Sequence, residues 1–109
     1  PDRDARRPEM RDMWLGDSRV KIVDILDEAK NAVADRGKNY GSVYINHERI
    51  AAQWSITLGT EVTAEQVAMM MVQVKLARLM ETPDHMDSWV DIAGYAWTGG
   101  NCVQEAPDN

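Results

Sequence analysis

The sequence has a single cysteine, no long apolar run and little positive charge. Cys102 stands alone among 109 residues, which excludes a disulfide within the chain and favours a cytosolic setting. No apolar run approaches the roughly 20 residues that a membrane-spanning helix needs, and no basic segment followed by an apolar stretch suggests secretion. The net charge of -6 argues against general nucleic-acid binding, because such proteins present excess lysine and arginine to phosphates. We expect a cytoplasmic protein without a membrane partner.

The length suits one domain with a polar segment at each end. A chain of 12.3 kDa is expected to build a single hydrophobic core. Residues 1–16 mix four arginines with four acidic residues and two prolines, which is typical of a disordered, flexible tail. Residues 101–109 hold little to bury and predict a second flexible end. The expected domain is residues 17–100.

Apolar periodicity predicts two helices in the first half of this domain. Asp17 or Ser18 suits the N-cap of a first helix, in which apolar residues recur every three to four positions up to about residue 36. A loop over residues 37–41 leads to a second helix, which ends at Gly59 because glycine suits the left-handed C-cap.

The second half predicts two more helices. Thr63 and Gln66 fit a capping box, in which the two side chains satisfy each other's backbone donors. The third helix that follows is apolar nearly all round, so we expect it to be the central one. Thr82 and Pro83 open a fourth helix, which ends at residues 99–100. Because no strand-like alternation competes, the prediction is an all-α, antiparallel four-helix bundle.

Four charged residues on the last two helices form a first candidate site. Lys75 and Arg78 are three apart on one helix, and Asp87 and Asp91 are four apart on the next. In an antiparallel hairpin Lys75 lies at the height of Asp91, and Arg78 lies at the height of Asp87 about one turn away, which predicts one connected network. Such a network either fixes the register as buried ion pairs or flanks a cavity. In the second case the cations hold phosphate oxygens, and the catalytic aspartates hold Mg²⁺ or orient the cations.

The loop between the first two helices is a second candidate site. It places Arg36, Lys38 and Tyr40 beside two glycines. A tight turn explains the glycines and solvent exposure explains the cations. The same set also suits a nucleotide, since tyrosine stacks on a base while the cations neutralise phosphate. The loop is not a Walker phosphate loop, because it lacks the Gly-Lys-Ser/Thr ending. Two residues on the polar stripe of the second helix complete the predicted ligand-binding set: Asn46 and Arg49.

Carboxylates on the first helix suggest a metal site. Asp24, Asp27 and Glu28 are spaced three and four apart, so one helix can present two ligands to a hard cation. Together with Asp91 they are the candidate Mg²⁺ ligands, although an acidic stripe of this kind is also typical of a solvated helix face. His47 lies on the apolar face of its helix and is interpreted as a core histidine.

Five segments of the chain resemble a small helical family of tailed-phage and prophage proteins of unassigned function. The resemblance covers about residues 20–99 and is carried by residues 25–29, 36–41, 46–51, 75–79 and 84–95, which read ILDEA, RGKNYG, NHERIA, KLARL and DHMDSWVDIAGY. More distantly, the chain is similar to phage nucleotide-modification-associated domains. Both groups look like outlying relatives of the MazG and dimeric dUTPase type of all-α nucleoside triphosphate pyrophosphohydrolases.

The resemblance implies a nucleotide or nucleotide-derived partner in the cytoplasm of a bacterial host cell. In the pyrophosphohydrolases, paired acidic helices hold Mg²⁺ against a triphosphate. Here Asp87 and Asp91 are one residue further apart than that pattern, and Asp24 with Asp27 or Glu28 would have to supply the other pair. Three hypotheses follow: Mg²⁺-dependent hydrolysis, binding or sequestration of a nucleotide such as a host defence signal, and a structural module without a small ligand. The resemblance, with four tryptophans in a small domain, also predicts a homo-oligomer.

Overall fold

The structure is a computed structural model, which describes residues 24–40 and 42–107. This part of the chain forms four α-helices and no strand, as the sequence predicts. The helices are α1 (Ile25–Tyr40), α2 (Val43–Leu58), α3 (Ala64–Glu81) and α4 (Met86–Glu105). The predicted tail over residues 1–16 and the predicted helix start at Asp17 or Ser18 lie outside the described residues.

Local capping explains where α2 and α3 begin and where α2 ends. Ser42 accepts a hydrogen bond from the backbone of Ile45 at the start of α2, and Gly59 ends this helix at φ 71° in the left-handed region. Thr63 and Gln66 form the predicted capping box, with Gln66 Oε1 accepting from the Thr63 backbone at 2.9 Å. These sequence signals depend only on neighbouring residues, so the predictions at these positions are confirmed.

Three predicted helix ends differ from the structure. The α1 helix continues through Gly37 to Tyr40, where the sequence predicts a loop. Residues 83–84 form a turn, and α4 begins at Met86 with His85 as the N-cap, three residues later than predicted. At its other end α4 runs past residues 99–100 to Glu105, because Cys102 is fully buried and packing extends the helix.

The central helix is α4 and not α3. Within the described residues, α4 contacts each of the other three helices and packs most extensively against α3, whereas α1 does not contact α3. The prediction from composition was wrong because α3 uses only part of its apolar surface. Met69, Val74 and Met80 are more than half exposed. A helix that is apolar all round can therefore lie at the edge of a bundle when one of its faces remains uncovered.

The tightest packing lies between α3 and α4. A Cβ added at Gly99 would lie 3.4 Å from the Cβ of Ala68, so the two helices approach closely there. Val67, Ser88 and Cys102 are the largest fully buried side chains. Ala51, Val62 and Val67 form a buried apolar cluster under α2. Ser55 helps to hold it, because its hydroxyl accepts a hydrogen bond from the Val62 backbone at 2.8 Å. The hairpin of α3 and α4 thus positions α4, which supplies one wall of the candidate site.

Candidate functional site

An ion pair between α3 and α4 has the predicted register. Lys75 Nζ lies 3.0 Å from Asp91 Oδ2, and the two side chains keep 23% and 32% of their exposure. Because both groups remain in contact with water, their attraction is screened and contributes at most about 1 kcal/mol.

The predicted extension of this pair to Arg78 and Asp87 does not form within the described residues. Both side chains are exposed, and the salt bridge found in this part of the chain is the one at Lys75. Three residues along an α-helix turn a side chain by about 300°. Arg78 lies about 60° from Lys75 around α3 and stays exposed, so the network in the described residues is reduced to a single pair.

A cavity of about 60 Å³ lies between α1, α2 and α4. We call it the helix cavity. It is large enough for a few water molecules or one small polar group of a ligand. Its walls combine apolar side chains with hydrogen-bonding groups, which is the usual composition of a small-molecule site. The lining residues are Ala32, Val33, Arg36, Val43, Asn46, His47, Val90, Asp91, Gly94, Tyr95 and Thr98.

Arg36 and Tyr95 join α1 to α4 across this cavity. The Arg36 guanidinium donates a hydrogen bond from Nη1 to Tyr95 Oη at 3.5 Å, and its Cζ atom lies 5.6 Å from the centre of the tyrosine ring. Tyr95 is buried at 9% exposure, which gives the cation a fixed aromatic support. Guanidinium groups carry five N–H donors and match phosphate or carboxylate oxygens.

His47 is buried in the wall of the helix cavity as a neutral imidazole. Its Nδ1 atom lies 3.1 Å from the Val43 carbonyl oxygen, so Nδ1 carries the proton and donates, and Nε2 is left as an acceptor. Burial lowers the pKa of His47, and the positive charge of Arg36 lowers it further, against the opposing effect of the hydrogen bond to Val43. The lowered pKa favours the neutral ring, whose Nε2 atom can accept a hydrogen bond.

Three further polar side chains line the helix cavity. Asn46 contributes an amide with both donors and acceptors, and Asp91 contributes a carboxylate that is already paired with Lys75. Thr98 Oγ1 donates to the Gly94 carbonyl at 2.9 Å, so its lone pairs are available to accept from a ligand. The cavity thus offers acceptors on α2 and α4 and a donor group on α1.

Two other residues predicted to bind a ligand, Lys38 and Arg49, lie away from the helix cavity. Lys38 is exposed near the end of α1, about 200° around the helix from Arg36. Arg49 is exposed on α2. Tyr40 is the last residue of α1, and its side chain lies outside the described part of the structure. Residues 37–40 therefore belong to a helix rather than to the predicted loop, and among the described charged side chains of that set Arg36 lines the cavity and Lys38 does not.

The candidate metal ligands are distributed over the start of α1 and the start of α4. Asp24 accepts a hydrogen bond from the Asp27 backbone at 3.0 Å, as an N-cap does. Glu28 instead lines a shallow depression together with Asp87 and Asp91. Within the described residues, no group of three or more histidine, cysteine or acidic side chains is arranged to hold a metal ion.

An apolar groove lies beside the helix cavity and shares Val33 and Val43 with it. The groove encloses about 530 Å³ between α1 and α4. Trp97, which is half exposed, and Lys30 are the largest side chains at its edge. Its remaining walls are small or aliphatic: Leu26, Ala29, Ala34, Gly37 and Ala93. A polar cavity and an apolar groove are therefore adjacent on the same side of the bundle.

The sequence reasoning missed three residues of this site. His47 was interpreted as a core residue, which describes its burial but omits its place in the wall of the helix cavity. Tyr95 and Thr98 were not among the predicted site residues. Their signal is spacing, since Asp91, Tyr95 and Thr98 recur at i, i+4 and i+7 and so share one face of α4.

The helices of the described residues are too short or too polar to cross a membrane. Comparison with known proteins finds relatives in phages. It is 47% identical over 74 residues to the Gene 55 protein of Mycobacterium phage L5, a match that covers 66% of this chain and 47% of the phage protein. It is 41% identical over 81 residues to the Gene 55 protein of Mycobacterium phage D29, covering 73% of this chain and 51% of that protein.

The chain spans about half the length of these curated relatives. No solved structure matches it. Residues 24–103 match the family model described as a domain of unknown function, DUF6378, and these residues include all four helices almost completely together with every residue of the helix cavity. The chain therefore belongs to the DUF6378 family, which has relatives in phages.

Proposed function

We propose that this domain binds a nucleotide or a nucleotide-derived small molecule in the helix cavity and the adjoining apolar groove. The observation that carries the proposal is the convergence of Arg36, Asn46 and Asp91. These residues come from three different helices and were selected from the sequence as ligand or site residues, and all three line one cavity. Residues of a purely structural core need not converge on a space with this polar lining.

The two adjoining spaces suit the two halves of such a ligand. The helix cavity, at about 60 Å³, accepts one small polar or anionic group beside the N–H donors of Arg36. The groove, at about 530 Å³, accepts a ring system that stacks on Trp97. Stacking of a base on an aromatic side chain contributes roughly 1 to 3 kcal/mol. A nucleotide combines these two chemical features in one molecule.

The second candidate function is Mg²⁺-dependent hydrolysis of a nucleoside triphosphate. It is favoured by one observation, the depression lined by Glu28, Asp87 and Asp91, which adjoins the helix cavity through Asp91. In this scheme Asp87 and Asp91 would be the catalytic carboxylates, and Glu28 and Asp91 would hold Mg²⁺, which would supply positive charge to the phosphate oxygens and activate water. Asp24 and Asp27 then serve α1 as its N-cap and first-turn charge.

Binding is tested first by identifying the small molecules released from purified, denatured protein by mass spectrometry. Titration calorimetry with a panel of nucleotides then measures affinity, which should fall at high salt. Thr98→Val should weaken binding because it removes a hydroxyl from the cavity. Thr57→Val is the matched control, since Thr57 makes the same type of bond to the carbonyl four residues earlier but is exposed on α2.

Turnover separates the two candidate functions. If the domain is a hydrolase, Asp91→Asn should abolish Mg²⁺-dependent turnover while binding is largely kept. The exposed Asp84, which lines none of these spaces, supplies the control variant Asp84→Asn. Tight binding without turnover in Mg²⁺ or Mn²⁺ favours sequestration. Failure to bind any nucleotide leaves the structural module as the surviving function.

A further inference from the structure

The outer face of α3 is apolar, exposed and free of charge over most of its length. Met69 is 61% exposed, Leu76 45% and Met80 86%. The sequence from Gln66 to Val74 contains no charged residue. Lys75, the first charge after this run, turns inward to Asp91. Solvated helices normally carry charged side chains on their exposed face, so this face is suited to contact with another protein surface.

The spacing on this face is that of a helix-to-helix seam. Five residues follow one another at intervals of three and four, which is the a and d pattern of a coiled coil. We call them the outer stripe: Gln66, Met69, Gln73, Leu76 and Met80. Two of the five, Met69 and Met80, are methionines, whose side chains adapt to an opposing surface more readily than branched side chains do.

We propose that the outer stripe of α3 pairs with the same stripe on a second copy of this chain. The stripe is nearly symmetric about Gln73, with apolar residues three and four positions away on either side. A two-fold dimer requires such a self-complementary patch, because each residue must suit its own counterpart. Gln73 meets its counterpart at the two-fold axis, whether the two helices run parallel or antiparallel.

Charge restricts which surface two copies of this chain can share. Two chains that each carry a net charge of -6 repel one another. The outer stripe is neutral, so two copies can meet there without opposing like charges or burying an unpaired one. Paired glutamine amides at Gln73 can donate and accept reciprocally, as polar groups do when they set the register of a coiled coil.

The length of the outer stripe sets the expected affinity of the dimer. From residue 66 to residue 80 the helix rises about 21 Å. A contact of that length lies at the small end of specific interfaces, which indicates a dimer that forms at micromolar concentration and dissociates on dilution. The cavity and the groove lie on the other side of α4, so the proposal does not depend on the proposed function.

Sedimentation equilibrium of the full chain at micromolar concentration tests the proposal. The expected result is a species of twice the 12.3 kDa chain mass. Met69→Glu should raise the dimer dissociation constant by at least about tenfold, because it brings two carboxylates into the seam. Ile56→Glu is the matched control, since Ile56 is 83% exposed on α2 and outside the stripe. Circular dichroism confirms that both variants remain helical.

A cross-linking experiment gives an independent result. Gln73→Cys should form a disulfide-linked dimer under mild oxidation, while Ile56→Cys should not. The native Cys102 is fully buried and does not interfere. A monomeric wild type at micromolar concentration overturns the proposal. So does a dimer that survives Met69→Glu, which would assign the contact to another surface.

Discussion

The two sides of α4 are built differently. On the side of α3 the helices approach so closely that Gly99 faces the Cβ of Ala68, and Ser88 and Cys102 are fully buried. On the side of α1 and α2 the helices leave the helix cavity and the apolar groove, with Arg36 spanning the gap. Close packing gives stability, whereas unfilled polar space costs it. The comparison indicates that one side of α4 maintains the fold and that the other is available for a ligand.

The largest effect should come from filling the close contact. Gly99→Val adds two methyl groups against Ala68, where a Cβ alone would already be 3.4 Å away. Overpacking of this kind typically costs about 1 to 3 kcal/mol. Urea denaturation measures the free energy of unfolding. A variant as stable as wild type would contradict the distinction between the two sides.

Breaking the ion pair between α3 and α4 should have a smaller effect on the free energy of unfolding. Lys75→Met is expected to destabilise the domain by about 1 kcal/mol or less, because both charges are partly exposed and screened. Thermal unfolding at low and high salt measures the difference, which should shrink as salt rises. A loss of several kcal/mol would mean that the pair is buried in solution.

Substituting a glycine that lines the helix cavity should raise the free energy of unfolding instead of lowering it. A Cβ at Gly94 would meet only Val33 Cγ2, at an ordinary distance of 3.8 Å. Gly94→Ala should therefore stabilise α4 by roughly 0.5 to 1 kcal/mol through its helix propensity. Because Gly94 lines the helix cavity, the same variant should weaken nucleotide binding. Unchanged affinity would indicate that the ligand binds elsewhere.

The smallest effect should be a pH dependence from His47. Its pKa is lowered in the folded state by burial and by Arg36, so the unfolded chain binds a proton more readily. The stabilising contribution of the neutral ring is complete above the unfolded pKa of about 6.5 and is lost as the pH falls towards the folded pKa. The free energy of unfolding, measured from pH 7.5 to 5.5, should decline less in His47→Asn. An equal decline in both proteins would contradict this assignment.

The success of prediction along this chain follows the range of the interaction involved. The caps at Thr63 and Gly59 and the register of Lys75 with Asp91 depend on local chemistry or helix geometry, and each was predicted. The central position of α4 and the end of that helix depend on which surfaces meet. Cys102 is buried by contacts that no local pattern of residues 101–109 reveals.

The candidate site shows the same limit. Arg36, Asn46 and Asp91 were selected for their chemistry and do line one cavity. Lys38 and Arg49 have equally suitable chemistry but lie on other helix faces. The predicted loop is instead part of α1, which remains helical through Gly37. The direction of a side chain on a helix is set by its position in the sequence and not by its charge.

The position of α4 in the chain has a consequence for synthesis. The helix that touches all the others is the last of the four to be made, and Arg36 and Tyr95 are 59 residues apart. While a ribosome is still adding residues 86–105, α1 has emerged but its main packing surface does not yet exist. Contacts over such sequence separations slow folding. The nascent chain should therefore stay sensitive to protease until α4 emerges, and the candidate ligand site can form only after that point.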